Sequence, residues 1–220
     1  IESTVGGGSN NTADNIAATI GGGRFNTASG IESTVGGGLS NTAIGLLSTV
    51  GGGQRDTASG DFSTIGGGFT NIASGNYSAI LGGIENTAQS YGEMVFGTYS
   101  APLISGFDAL NYTSTDRLFV VGNGVGSFAK SNALVMLKNG TTFLNGQLNL
   151  SDGTDTLTYP NTDGAANEIL KTDGLGNLTF VPVSSFISVD TFSVIQSTNR
   201  SRSVRACLLY TPYPADAEHT

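Results

Sequence analysis

A β-branched residue recurs every fifteen positions at the start of the chain: Val5, Ile20, Val35, Val50, Ile65, Ile80 and Val95. Each is followed by glycine, in runs at 6–8, 21–23, 36–38, 51–53 and 66–68 that shorten to Gly82-Gly83 and then Gly97. Half a period later stands a polar register, Asn11, Asn26, Asn41, Asp56, Asn71 and Asn86. Alanine follows two residues on, at Ala13, Ala28, Ala43, Ala58, Ala73 and Ala88. A short period held without slippage predicts a chain that coils, each unit stacking on the last. Ser3-Thr4-Val5 and Asn11-Thr12-Ala13 read as short strands. The glycine runs and dipeptides such as Ser29-Gly30 read as corners, where φ > 0 and close backbone approach favour glycine. The expected fold is all-β, with a parallel β-solenoid over residues 1–97. About six coils at ~4.8 Å each give a rod roughly 30 Å long. Val5, Ile20, Val35, Val50, Ile65 and Ile80 are expected to stack in one internal column.

From about Thr98 the period breaks. Residues 98–150 read as a β-rich connector with strands at 117–121 and 133–137, and with Asn139-Gly140 and Asn145-Gly146 as hairpin turns. Residues 151–198 carry short strands at 156–159, 168–171 and 178–183. These are separated by Asp152-Gly153, Asp163-Gly164, Asp173-Gly174 and Gly176-Asn177. No helical pattern is evident. Residues 199–220 change character, with Arg200, Arg202, Arg205, Cys207 and His219 close together. The stretch 204–211 looks like a translated sequencing-adapter tail, and the last twenty or so residues are read as non-native.

Composition narrows the function. Glycine supplies 33 of 220 residues and charged residues only 12%, against roughly 25% charged in ordinary domains. The rod's interior of Val and Ala must therefore be narrow. It buries little apolar surface per coil against the entropy of ordering fifteen backbones. The variable positions carry more apolar surface, at Ile16, Ile31, Leu46, Leu47, Phe62, Tyr77 and Tyr91, and these are expected to point outward. Burying them between chains would make up the shortfall, so an oligomer is expected.

The net charge of −8, with no basic cluster before residue 200, argues against nucleic acid as a partner. A single cysteine excludes a disulfide framework. No apolar run is long enough for a transmembrane helix. The chain opens in mid-repeat at Ile1, and any membrane anchor is expected outside this stretch.

No catalytic, cofactor-binding or metal site is expected. The glycine runs lack the lysine and following helix of a phosphate loop. Gly122-x-Gly124-x-Gly126 is a weak echo of a dinucleotide fingerprint and reads as a turn. A calcium roll needs an Asp in every unit, and here only Asp56 occupies the polar register. Asp152 and Asp155 read as turn caps, and Asp61 and Glu32 as scattered surface charges. The only histidine is His219, so no hydrolytic triad can be assembled and the chain reads as a non-enzyme. The threonine columns, Thr4, Thr19, Thr34, Thr49, Thr64 and Thr12, Thr27, Thr42, Thr57, suggest an ice-binding face. Cross-strand ladders that stabilise the stack are the favoured reading.

Units such as Ala28-Ser29-Gly30-Ile31-Glu32-Ser33-Thr34-Val35-Gly36-Gly37-Gly38 resemble the head repeats of trimeric autotransporter adhesins of the YadA type, over residues 1–97. The unit is one glycine longer than that family's and has Thr-Val where the family has Val-Ala-Ile. The segments 118–124 and 131–140 resemble the region after such heads in fibre-like proteins. The segment 166–180 is similar to tail-fibre repeats that precede a self-cleaving chaperone. The resemblances imply a homotrimeric fibre on a cell surface, anchored in the outer membrane through a region outside this stretch, or alternatively on a virion tail. They imply attachment to a host receptor, a matrix protein or a glycan. A spacer and an ice-binding solenoid remain as other readings. Recognition is expected on the outer face of the rod, with Phe62 and Tyr77 as the leading residues.

Overall fold

Two residues of strand per side suffice for a fifteen-residue coil, because the strands' hydrogen bonds run between neighbouring coils and none within the coil's own strand. The computed structural model describes residues 2–146, 148–151, 156–158, 165–166, 168–172 and 177–182. Twelve two-residue strands alternate along the rod: β1 Thr4–Val5, β2 Thr12–Ala13, β3 Thr19–Ile20, β4 Thr27–Ala28, β5 Thr34–Val35, β6 Thr42–Ala43, β7 Thr49–Val50, β8 Thr57–Ala58, β9 Thr64–Ile65, β10 Ile72–Ala73, β11 Ala79–Ile80 and β12 Thr87–Ala88. Odd strands stack in parallel as one sheet and even strands as another. Val5, Ile20, Val35, Val50, Ile65, Ile80 and Val95 pair in strict succession. A third line of single parallel bridges joins Ser9, Arg24, Leu39, Gln54, Phe69, Ile84 and Thr98. Each coil therefore has three sides where the sequence suggested two.

Alternation decides what lies inside. In one coil Asn26, Ala28, Gly30, Ser33 and Val35 are all buried. The expected column from Ile20 to Val95 is fully buried and continues to Val120. Val5 holds the same register, paired with Ile20, and is 45% exposed.

The asparagine register is the polar spine of this core. Asn41 Oδ1 accepts the backbone N–H of Asp56 at 3.0 Å, one coil on. Asn41 Nδ2 donates to Gly37 O at 2.8 Å and Gly53 O at 2.9 Å. Asn26, Asn71 and Asn86 repeat the pattern. One side chain thus satisfies a corner's carbonyls and the next coil's amide, the accounting a buried turn requires.

The corners correct the sequence reading. In the glycine run the third residue takes positive φ, as at Gly38 (95°) and Gly53 (94°). Just after the glycine run a second left-handed residue follows, such as Phe25, Ser40 or Arg55, and at the corner of the Ser29-Gly30 type the left-handed residue is not the glycine. It is the residue two further on: Glu32, Leu47, Phe62 or Tyr77, at φ 54–59°. Gly30 is required for a different reason, since a Cβ there would collide with the Gly45 carbonyl of the next coil.

The rod ends where the repeat changes. From Gly83 to Gly97 the coil loses a residue, and Ser100 takes the next place in the asparagine spine, its N–H donating to Asn86 Oδ1 at 3.2 Å. Strand β13 (Met94–Thr98) then pairs in parallel with β14 (Arg117–Asn123) across an eighteen-residue excursion. Glu93 stands in the column occupied earlier by Ser33, Ser48, Ser63 and Ser78, and pairs with Arg117 at 2.7 Å, both buried. Gln89 and Ser90 N–H groups also donate to this carboxylate, at 2.8 and 2.9 Å. Burial pushes the Glu93 carboxyl up and the Arg117 guanidinium down from their ordinary values, and their mutual attraction opposes both.

Beyond it, β15 (Asn132–Leu137) and β16 (Thr142–Leu144) add as an antiparallel meander. Asn139-Gly140 makes the expected hairpin, with Gly140 at φ 89°. Asn145-Gly146 does not, because β16 ends a sheet. The following strand β17 (Asn149–Ser151) pairs instead with β18 (Thr156–Thr158), and β19 (Glu168–Thr172) with β20 (Leu178–Pro182). Asp152, Asp155, the turns at 163–164 and 173–176, and the tail 199–220 with Cys207 and His219 lie outside the described residues.

Candidate functional site at the aromatic corner

One variable set follows the third side of the coil through Arg24, Leu39, Gln54 and Phe69; the period places the other, at 16–17, 31–32, 46–47, 61–62 and 76–77, on a separate edge of the rod. There the left-handed residue of each coil donates its N–H to the carbonyl sixteen residues earlier: Leu47 to Ile31, Phe62 to Leu46 and Tyr77 to Asp61, at 2.7–2.8 Å. The side chains are thereby held at the inter-strand spacing of about 4.8 Å. Ile16, Ile31, Leu46, Leu47, Phe62 and Tyr77 form an exposed ridge along this edge. It is aliphatic toward the first coils and aromatic toward the connector.

Phe62 and Tyr77 stack face to face, centroids 4.7 Å apart and planes 2° from parallel. They are 40% and 52% exposed. Tyr91 follows at 5.2 Å, tilted 57°. Against the expectation, Tyr91 is only partly exposed, because the excursion between β13 and β14 folds back along this edge. Asn76 N–H donates to Ala109 O at 2.8 Å and Tyr91 N–H to Asp108 O at 2.9 Å. Asp108 fixes the loop by accepting the N–H groups of Leu110 and Asn111 at 2.8 and 3.0 Å. Those bonds hold its carboxyl below the ordinary value. The loop brings Leu110, Asn111 and Tyr112 opposite the stacked rings and encloses a cleft of about 420 Å³, also lined by Asp61 and Asn76.

Lys138 lies behind this wall, 3% exposed and 3.8 Å from the buried Asp116 carboxylate. Its ammonium stands 5.9 Å from the Tyr91 ring centre and 5.5 Å from that of Tyr112. Tyr112 Oη donates to Lys138 O at 3.4 Å. The cation thus pins two tyrosines of the cleft from within.

The arrangement offers stacking faces and polar edges but no nucleophile beside a base. Among the described residues no cluster of His, Cys, Asp or Glu could hold a metal ion. Glu32 and Asp61, noted in the sequence as scattered charges, sit two coils apart in neighbouring columns of the ridge. The threonine columns face outward on the two sheets, one residue wide each. Phe62 and Tyr77 are brought together as the period predicts. Leu110, Asn111, Tyr112 and Lys138 were not foreseen, because they belong to the non-periodic stretch. The only local hint of their position is the turn composition of residues 108–116. No family model matches the chain, and no curated protein matches it either.

Proposed function

We propose that this chain is part of a homotrimeric fibre, displayed on a cell surface or a virion, whose repeat rod attaches to a host surface. The observation that carries the reading is the run of varied, exposed side chains from Ile16 to Tyr77 along one edge of a rod whose buried columns repeat. A rigid rod with such an edge suits recognition, since variation on a fixed frame tunes contacts without unsettling the core. Three copies on one axis would raise avidity well beyond any single contact. The aliphatic part of the ridge, Ile16, Ile31, Leu46 and Leu47, unburied in a single chain, supports association of the rods. The chemistry of the cleft supports binding and not turnover, so the chain is read as a non-enzyme without cofactor or metal.

Replacing Phe62 and Tyr77 together by Ser is expected to lower adhesion of beads coated with the full chain to epithelial cells. The loss should be about tenfold, the size expected when two exposed aromatic anchors are removed. Assembly should be retained. If adhesion survives the double substitution and maps to residues 98–198, the rod is only a stalk.

A further inference from the structure

Resting on that reading of the rod as an attachment surface, we propose that the cleft between Phe62, Tyr77, Tyr91 and Tyr112 is a saccharide site that takes a neutral pyranose. Phe62 and Tyr77 stack with planes 2° from parallel at 4.7 Å, so each ring covers a face of the other and their exposed margins form an apolar strip. The C–H groups of a sugar ring pack against such a strip by dispersion. A sugar's rim of hydroxyls needs donors and acceptors around that strip, and the cleft supplies them. Asp61 uses Oδ1 to accept Leu46 N–H and Asn76 uses Oδ1 to accept Asp61 N–H. This leaves Asp61 Oδ2 and Asn76 Nδ2 without a side-chain bond of their own, and Asn111, whose Nδ2 donates to Asp108, keeps Oδ1; all three residues line the cleft.

Size and charge narrow the class. The volume of about 420 Å³ falls at the lower end of small-ligand clefts. Lys138 is buried behind Tyr91 and Tyr112, while Asp61 lines the cleft. In a chain of net charge −8 this environment disfavours carboxylated or sulfated sugars. The cleft is also preorganised. Tyr91 and Tyr112 are held by the ammonium, and the loop by Asp108, so little ordering entropy is lost on binding.

The test uses the full chain with methyl β-galactoside, methyl α-mannoside and methyl β-N-acetylglucosaminide as neutral probes, and N-acetylneuraminic acid as the anionic arm. Binding is read by saturation-transfer NMR and titration. At least one neutral glycoside is expected to bind, with transfer strongest to protons of one ring face. Tyr112→Ala and Tyr77→Ala should each weaken it by about tenfold. Tyr77→Phe, which keeps the ring, should change it by no more than about threefold, and Phe25→Ala on a different corner should leave it unchanged. Binding of N-acetylneuraminic acid alone would overturn the proposal, as would affinity unmoved by Tyr112→Ala. So would loss of assembly in Tyr112→Ala, which would make the cleft a contact between chains. Failure of all three neutral glycosides would overturn it too, while adhesion of the unsubstituted chain to cells would leave the attachment reading standing.

Discussion

Gly38→Ala is expected to lower stability by on the order of 4 kcal/mol, whereas Gly22→Ala should leave it unchanged or raise it slightly. Both belong to glycine triplets that look equivalent in sequence. Gly38 sits at φ 95°, and a Cβ there would run into the Gly53 carbonyl oxygen and lie 2.6 Å from Asn41 Nδ2. An alanine therefore meets both a left-handed backbone penalty and a clash that neighbouring coils cannot relieve without breaking the stack. Gly22, the middle residue of its triplet, is outside the left-handed region, and a Cβ there meets nothing within 4 Å. Alanine at Gly22 reduces only the freedom of the unfolded chain. Urea denaturation followed by circular dichroism separates the two. Equal losses would mean that the corner geometry described above is wrong.

A comparably large effect is expected in the asparagine spine, with opposite signs at two adjacent coils. Asn41→Ala removes the acceptor for Asp56 N–H and the donor for two glycine carbonyls. Gly53 O keeps the Leu39 N–H, so two groups, Asp56 N–H and Gly37 O, are left unpaired, at a cost on the order of 3 kcal/mol. Asp56 occupies the same place one coil on, yet carries a carboxylate where the spine needs an amide. Its Oδ1 accepts from Asn71 N and Nδ2 at 2.7 and 3.0 Å, while its buried Oδ2 has no donor.

Burial therefore raises the Asp56 carboxyl above its ordinary value, against the two bonds from Asn71. A raised folded-state value means that the folded chain binds the proton more tightly than the unfolded one. This contribution to stability is complete below the ordinary value of 3.8 and is lost as pH rises through the folded-state value. Asp56→Asn restores the donor and is expected to stabilise the rod by about 1–3 kcal/mol at pH 7. Its advantage should shrink as the pH is lowered toward 4. An Asp56→Asn chain less stable than the unsubstituted one at pH 7, or a gap that ignores pH, would contradict the account of the spine.

Much of the rod was legible because its structure is local and repeated. The interval from Val5 to Ile20 is the coil, and a β-branched residue at each register point leaves its place in the stack little choice. The strands at 117–123 and 132–137 were legible for the same local reason. The left-handed corner at Phe62 and Tyr77 was not. Glycine is the usual signal for positive φ, and here a ladder of N–H bonds to the preceding coil supports ordinary side chains in that conformation. Glu93 was hidden because its partner Arg117 lies beyond the excursion, and only the fold reveals that it has replaced a buried serine. The cleft was half visible: the period aligned Phe62 with Tyr77, but no pattern in residues 108–112 indicated that Tyr112 would face them.

Association of the rods into threes is tested most directly by mass. Light scattering of the full chain after size exclusion, at low micromolar concentration, is expected to give three times the 22.4 kDa of one chain. The aliphatic part of the exposed ridge, Ile16, Ile31, Leu46 and Leu47, would then be covered by neighbours, with the aromatic end at Phe62 and Tyr77 left open. A folded, monodisperse species of 22.4 kDa that persists on dilution would contradict the trimer, and with it the claim that this rod binds through threefold avidity.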